Sequence, residues 1–233
     1  MEPIQISAKV LGQVAMPDFC PRCFWIKLHA EKLPWQIFPG IFSSIDAYTK
    51  KVVHQWIDRS TADRPDFLKA LGVTGWLPAP HWSKFRTEIK ELGITLSGMA
   101  DDLFVVPTGI HIPDYKTAKY TKNQDKLFPM YRAQLNGYAR IGKALDMPVA
   151  SLSLIYMEPQ TEEKDAKEGS YPWNHVFKMS FAPKYVEIPV DTESLDPLME
   201  TARKIYDGLE PLGNRSCKDC MALAEVVGML GYA

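Results

Sequence analysis

All four cysteines of this 233-residue chain stand in two Cys-x-x-Cys pairs, Cys20/Cys23 and Cys217/Cys220, one near each end. Chance usage does not produce that spacing. In a cytosolic chain such pairs read as metal ligands before disulfides. Four thiolates suit a tetrahedral zinc ion or an iron–sulfur cluster, and spacing does not choose between them. Unpaired or redox thiols are the remaining reading. A shared metal would close a loop over nearly the whole chain, at a cost that grows slowly with length. The constraint on the fold is strong: residues 17–29 must lie against residues 211–225 as a metal clamp.

The remaining composition is that of an ordinary globular protein, 46% hydrophobic and 24% charged. The length suits one domain with a substantial core. No apolar run reaches transmembrane length, and the N-terminus lacks the basic start and apolar core of a signal peptide. A cytoplasmic location, with no membrane partner, is the expectation. The formal net charge is −1, so any nucleic-acid contact must use a local patch.

The central stretch, residues 94–117, carries the densest chemistry. It reads as two strands, 96–106 and 110–116, joined by a turn at Pro107-Thr108-Gly109. Side chains alternate along a strand. Asp114 and Lys116 therefore share a face with Ile110 and Ile112, while His111, Pro113 and Tyr115 point the other way. The hairpin partner brings Asp101 towards Asp114. Two carboxylates with one ammonium at a sheet end make a site for magnesium or manganese. Such an ion polarises a phosphoryl oxygen and acidifies a bound water. A nearby lysine stabilises negative charge developing on phosphate. Taken alone, an Asp-x-Lys is more often a solvated pair at a hairpin end.

Around this hairpin the chain reads as follows. Residues 1–16 are a short helix or an arm. The aromatics after Cys23 resemble the start of a buried helix. Pro34 to Gly40 breaks the chain. Residues 43–58 form a helix with Ile45, Tyr48, Val52 and Trp56 as its apolar side. Residues 59–93 read as irregular, with Trp76 and Trp82 packed into the core; exposed, they would stack on unpaired bases. This segment ends in a short helix or strand over 83–92. Residues 127–145 form the best helix, with Leu127, Tyr131, Leu135, Tyr138 and Ile141 on one side. Gln134 and Tyr138 lie four apart and share a face. Lys119, Lys122, Lys126, Arg132, Arg140 and Lys143 stand against Asp125 alone, a positive bias placed to meet a phosphate backbone. Strands follow at 149–157, 173–181 and 184–190, with a charged loop at 158–172. A helix at 195–209 carries Leu195, Leu198, Met199, Ala202, Ile205 and Tyr206 as its stripe. A loop at 211–216 leads to the second cysteine pair. The order fits a mixed sheet with helices on its faces.

These residues resemble the PD-(D/E)XK nuclease superfamily in its RecB-like branch. The resemblance rests on Gly98-Met99-Ala100-Asp101, then Pro113-Asp114-Tyr115-Lys116-Thr117, then Gln134-Leu135-Asn136-Gly137-Tyr138, in that order over about forty residues. Cys20-Pro21-Arg22 and the C-terminal pair extend it to the iron–sulfur members, which include the CRISPR-adaptation nuclease family. It implies an α/β, restriction-endonuclease-like mixed sheet flanked by helices, spanning residues 1–233 with a helical insertion around 41–93. Asp101, Asp114 and the Tyr115 carbonyl would hold Mg2+ or Mn2+. Lys116 would be the catalytic lysine, and Gln134 and Tyr138 would support the site and the DNA strand.

Two departures stand out. The family's histidine, about four residues after a glycine, is Ser44 here. His54, further down the helix, is the candidate replacement, although a lone histidine there is more often structural; Asp46 is a second metal-proximal candidate. The family's cysteines divide one and three; here they divide two and two, with Val226 near the place of a later cysteine. The resemblance implies a 4Fe-4S cluster on Cys20, Cys23, Cys217 and Cys220, with zinc as the alternative.

The function the resemblance implies is a metal-dependent deoxyribonuclease acting at single-stranded DNA ends, with exonuclease and endonuclease action both open and a helicase or CRISPR-adaptation complex as the candidate partner. The alternative is a catalytically weak DNA-binding or assembly subunit of the same fold. A zinc-stapled scaffold that binds no nucleic acid ranks last.

Overall fold

A computed structural model describes residues 2–30, 39–121, 126–171 and 176–229. Pro34, Lys122, Asp125 and Trp173 lie outside the described residues.

The chain runs through β1 (Ile4–Ser7), α1 (Ala8–Gly12), α2 (Pro21–His29), α3 (Gly40–Asp58), α4 (Asp66–Ala70), β2 (Gly75–Leu77), β3 (Arg86–Ile89), β4 (Ile94–Ser97), β5 (Leu103–Val106) and β6 (Gly109–Lys116). It continues through α5 (Phe128–Ala144), β7 (Val149–Pro159), α6 (Glu163–Gly169), β8 (Ser170–Tyr171), β9 (Val176–Phe177), β10 (Phe181–Ile188), α7 (Asp196–Asp207) and α8 (Lys218–Met229). The strands form a five-stranded sheet, β10-β7-β6-β5-β2, a three-stranded sheet, β1-β4-β3, and the ribbon β8-β9. Both larger sheets are mixed: β6 runs parallel to β7, and β1 parallel to β4, among antiparallel neighbours.

The single strand expected over 96–106 is two strands in two sheets. The chain leaves β4 at Gly98 and re-enters the larger sheet at Leu103. A Cβ on Gly98 would stand 2.7 Å from the Tyr138 ring, so only glycine admits that close approach. Hairpin β5–β6 turns at Pro107-Thr108, and Gly109 takes φ +138° there. Its register pairs Phe104 with His111 and Val105 with Ile110. Continued by the same count, it sets Asp101 opposite Asp114. The ladder stops short of that pair. Pro113 has no N–H, and its nitrogen lies on the β5 side of β6, as does that of Tyr115.

Alternation along β6 divides the interior in two. Ile110 and Ile112 join the cluster that holds Leu96, Leu135, Ile141 and Leu152. Tyr115 joins Val53, Ile57, Phe104 and Ile155 on the other side. Helix α5 touches strands of both larger sheets as well as α1. Its mid-section is buried nearly all round, from Ala133 to Ala139. Gly137 lets α1 come close: a Cβ there would stand 2.5 Å from the Ala8 Cβ.

Several expectations are corrected. The buried face of α3 is Thr49, Val53 and Ile57, one step round from the apolar side read from sequence. Tyr48 is 68% exposed, and Ile45, Tyr48, Val52 and Trp56 line an apolar groove with Met157 and Phe181. Trp76 and Trp82 are 37% and 45% exposed, outside the core; β2 is an edge strand, so Trp76 has a free side. Within residues 41–93, α3 and α4 are followed by β2 and β3, which join different sheets. The segment 158–172 is not all loop: α6 begins with a capping box of Glu162 and Asp165. Of the strand expected over 173–181, the described residues 176–180 hold only β9, and the next strand, β10, starts at Phe181 and pairs with β7. In α2 only Phe24 is buried. Within the basic run, Arg132 and Arg140 pair with Asp191 and Asp196, which neutralises part of the positive bias.

No helix among the described residues is long and apolar enough to cross a membrane.

Candidate active site and metal centre

One cavity, about 640 Å³ in volume, is lined by Asp46, Asp101, Asp114, Lys116, Gln134 and Tyr138, with Lys9, Gly98 and Met99 at its wall. The first six come from the sequence-expected set; they arrive from α3, the β4–β5 break, the end of β6 and one face of α5. Asp101 Oδ2 accepts the Tyr115 backbone N–H at 2.9 Å. The carboxylate thus takes the place of the missing β5 partner. Gln134 Nε2 donates to Asp114 Oδ1 at 2.9 Å and to the Tyr138 hydroxyl at 2.6 Å. The four-residue spacing on α5 is what lets one amide meet both. Lys116 is ion-paired with the buried Asp114 Oδ2. The Lys116 ammonium also lies 4.2 Å from the Tyr131 ring centroid.

The carboxylates are under strong electrostatic load. Burial, then the Asp114 charge, pushes Asp101 up to about 7, with Lys50 and the Tyr115 N–H pulling the other way. Burial raises Asp114, against the pull of Lys116 and Lys9. Buried carboxylates held so close favour a proton or a cation. Gln134 is only 5% exposed, and its Oε1 has no hydrogen-bond partner. A buried amide oxygen left this way is a vacant acceptor.

Two residues unread from sequence complete the picture. Lys9 lines the cavity, brought there by β1 pairing with β4; no local pattern announces that. Lys50 Nζ stands 3.2 Å from Asp46 Oδ2 and 3.4 Å from Asp101 Oδ1. Asp46 and Lys50 are one helical turn apart on α3, a spacing that was open to view. Burial pulls the Lys50 ammonium down, but Asp101 and Asp46 more than offset it and hold it above the ordinary lysine range.

His54 does not line this cavity. Its Nε2 donates to Asp102 Oδ2 at 2.8 Å, and its ring stacks on Trp76 at 3.8 Å and 5°. The Tyr115 hydroxyl donates to the same Asp102 oxygen at 3.0 Å. His54 therefore ties α3 to the β4–β5 break from the far side of β6. Of the two α3 candidates, Asp46 lines the cavity.

The cysteines converge. Their four sulfurs lie within 4.8 Å of one another, the one group of three or more His, Cys, Asp or Glu ligand atoms so gathered among the described residues. Cys20 caps α2 and Cys23 sits in its first turn; Cys217 and Cys220 stand likewise at the start of α8. Helix N-termini favour thiolates. Burial works against the Cys20 thiolate, but N–H groups of Cys23 and Asn214 with the facing thiols bring it down to about 6. The separations Cys20–Cys220, Cys23–Cys217 and Cys23–Cys220 are 3.6, 3.5 and 3.4 Å. A tetrahedral ion with Zn–S bonds of about 2.3 Å sets sulfurs about 3.8 Å apart. A cubane places its thiolates on separate irons, further apart than a single ion does. The donor set fits one metal ion with little movement. Gly213 makes room for the cluster, since a Cβ there would lie 2.7 Å from Cys220 Sγ.

No protein-family model matches the chain, and no curated protein matches it. Among solved structures it is similar to the crystal structure of SSO0001, with a TM-score of 0.39 and 14% identity, over 96% of this chain and 86% of that one. A likeness at that level assigns neither fold nor activity.

Proposed function

We propose that this chain is a divalent-metal-dependent deoxyribonuclease built on a restriction-endonuclease-like core, acting on single-stranded DNA ends. The observation that carries the reading is the single cavity shared by Asp101, Asp114, Lys116, Gln134 and Tyr138. Asp101 and Asp114, with the Tyr115 carbonyl, would hold Mg2+ or Mn2+. That ion would polarise the phosphodiester and supply an acidified water.

The chain's own residues do the rest. Gln134 fixes the Asp114 carboxylate through Oδ1, leaving Oδ2 towards Lys116. The Lys116 ammonium orients the attacking water and meets the charge that grows on the phosphate. Tyr138, held by Gln134, positions the strand. The exposed lysines Lys119, Lys126 and Lys143 meet the backbone. The cysteine clamp between α2 and α8 would be structural, holding a zinc ion or a 4Fe-4S cluster; the short sulfur separations favour zinc.

A non-cutting DNA-binding subunit is the second reading. It is favoured by the cavity's lack of a histidine and by the three lysines already set against three aspartates. The deciding assay uses end-labelled single- and double-stranded DNA with and without Mn2+. Manganese-dependent shortening that Asp114→Ala abolishes supports the nuclease. Undiminished cleavage by that variant removes it.

A further inference from the structure

Three carboxylates, Asp46, Asp101 and Asp114, line the cavity with the ammonium groups of Lys9 and Lys116, and a third ammonium, Lys50, pairs with Asp46 and Asp101. Their formal charges already cancel. Yet the carboxylates do not meet at one point, because no three carboxylate ligands among the described residues lie within 4.8 Å of one another. They make two edges instead. One edge, Asp46 to Asp101, is bridged by Lys50 Nζ at 3.2 and 3.4 Å. The other, Asp101 to Asp114, has no bridging lysine among the described residues. Asp114 on this edge is paired with Lys116, and Gln134, whose Oε1 is a vacant acceptor, lines the same cavity.

We propose that the Lys50 ammonium is a built-in cation that takes the place of a second metal ion, so that the cavity admits one divalent ion only, at the Asp101–Asp114 edge. This rests on the nuclease reading for the identity of that edge. The physics is direct. An ammonium flanked by two carboxylates and half withdrawn from water is held by both. A dication entering that edge must expel it and find it another partner. At the Asp101–Asp114 edge a dication displaces Lys116 from one carboxylate only, whereas on the Asp46 side it must displace an ammonium held by two. Two-metal nucleases clamp the attacking and leaving oxygens with two ions. Here Lys50 supplies fixed positive charge on the Asp46 side.

The test is the number of Mn2+ ions bound per chain, read by calorimetry and by the manganese paramagnetic signal on protein with its cysteine centre loaded. Wild type is expected to bind one ion, lost in Asp114→Asn. Lys50→Met is expected to bind two, and Lys50→Met with Asp46→Asn to return to one. Lys50→Arg, which keeps the charge, should stay at one. Two ions in the wild type overturn the assignment without recourse to any variant. So does a folded Lys50→Met protein that still binds one ion with unchanged affinity. One bound ion with the expected Lys50→Met change but no DNA cleavage supports the role of Lys50 and overturns the nuclease reading. No Mn2+ bound by wild type overturns both.

Discussion

Asp101 accepts the backbone N–H of Tyr115 at 2.9 Å, directly beside Asp114 in sequence. That bond fixes one acidic side chain to the backbone that carries the other. It exists because β5 ends at Leu103, so β6 has an N–H with no strand partner. The Tyr115 side chain then crosses to the opposite face and donates to Asp102 at 3.0 Å. One residue thus organises both halves of the Asp101-Asp102 pair.

Tyr115→Phe deletes the phenol and leaves the N–H contact intact. The buried Asp102 keeps His54 as a partner, so the loss is one charge-assisted hydrogen bond, about 1.5–3 kcal/mol. Urea unfolding should show that decrease. Mn2+ stoichiometry should not change, because Asp101 is still held by the backbone.

Asp114→Asn keeps an acceptor for Gln134 but removes the charge. Cleavage should fall by more than about 100-fold, the scale of losing one pre-set electrostatic partner. Lys116→Met should do the same. Because burial raises Asp114, its neutral replacement should not lower the urea midpoint. A variant that unfolds early would place Asp114 in the structure and not in the chemistry.

Much of this was legible in the chain. The alternation of β6 put Asp114 and Lys116 on one face, and four-residue spacing put Gln134 beside Tyr138. The two Cys-x-x-Cys pairs announced that the chain ends meet. What was hidden depends on tertiary placement. Residues 96–106 are apolar enough to read as one strand, yet the strand stops where Gly98 meets the Tyr138 ring, a contact between distant segments. The face of α3 was misread because Tyr48 and Trp56 are large and apolar, yet the smaller Thr49 and Val53 pack inward. Helical periodicity finds an apolar stripe but not which edge of it a neighbour covers. Lys9 reaches the cavity through a parallel pairing of β1 with β4, which has no local signature.

His111 makes a pH prediction. Its ring is fully buried, with Nδ1 at 2.7 Å from Ser151 Oγ and Nε2 at 2.8 Å from Ser153 Oγ. Neutral imidazole gives one such bond and takes the other. Burial pushes its pKa down to about 4 from 6.5. Between those values the unfolded chain binds a proton that the folded chain refuses. The contribution is therefore complete above pH 6.5 and lost as pH falls towards 4, on the order of 3 kcal/mol. Asp101, raised from 3.8 to about 7, titrates with the opposite sign across the whole of that range. The difference between wild type and His111→Gln isolates the histidine. That difference should shrink steadily on acidification, and a pH-independent difference would contradict the buried neutral ring.

The cysteine clamp predicts a coupled loss of metal and stability. Cys220→Ser removes a sulfur that lies 3.6 Å from Cys20 and 3.4 Å from Cys23. Three thiolates hold a tetrahedral ion far less well, and metal binding is folding free energy. Metal content should drop below one ion per chain, and the melting temperature should fall to that of chelator-treated wild type. Zinc is expected, with no absorption band near 400 nm in anaerobically purified protein. A band there, with about four irons per chain, would show that the two cysteine pairs spread to accept a cubane.

Gly98 gives the sharpest separation of site from scaffold. Its missing Cβ is the space in which the Tyr138 ring lies, 2.7 Å from where that atom would be. Alanine there must push the ring off or bend the β4–β5 break that carries Asp101. Tyr138 is bound to Gln134, and Gln134 to Asp114, so displacement travels two hydrogen bonds to the metal edge. Overpacking of this kind costs about 1–3 kcal/mol, and cleavage should fall far more than stability does. Gly40 is the control, because a Cβ there meets nothing within 4 Å and it opens α3. Gly40→Ala should leave Mn2+ binding unchanged. In Gly98→Ala the ion should bind more weakly, and Tyr138→Leu, which removes the planar ring and its hydroxyl, should recover stability in the double variant without recovering cleavage.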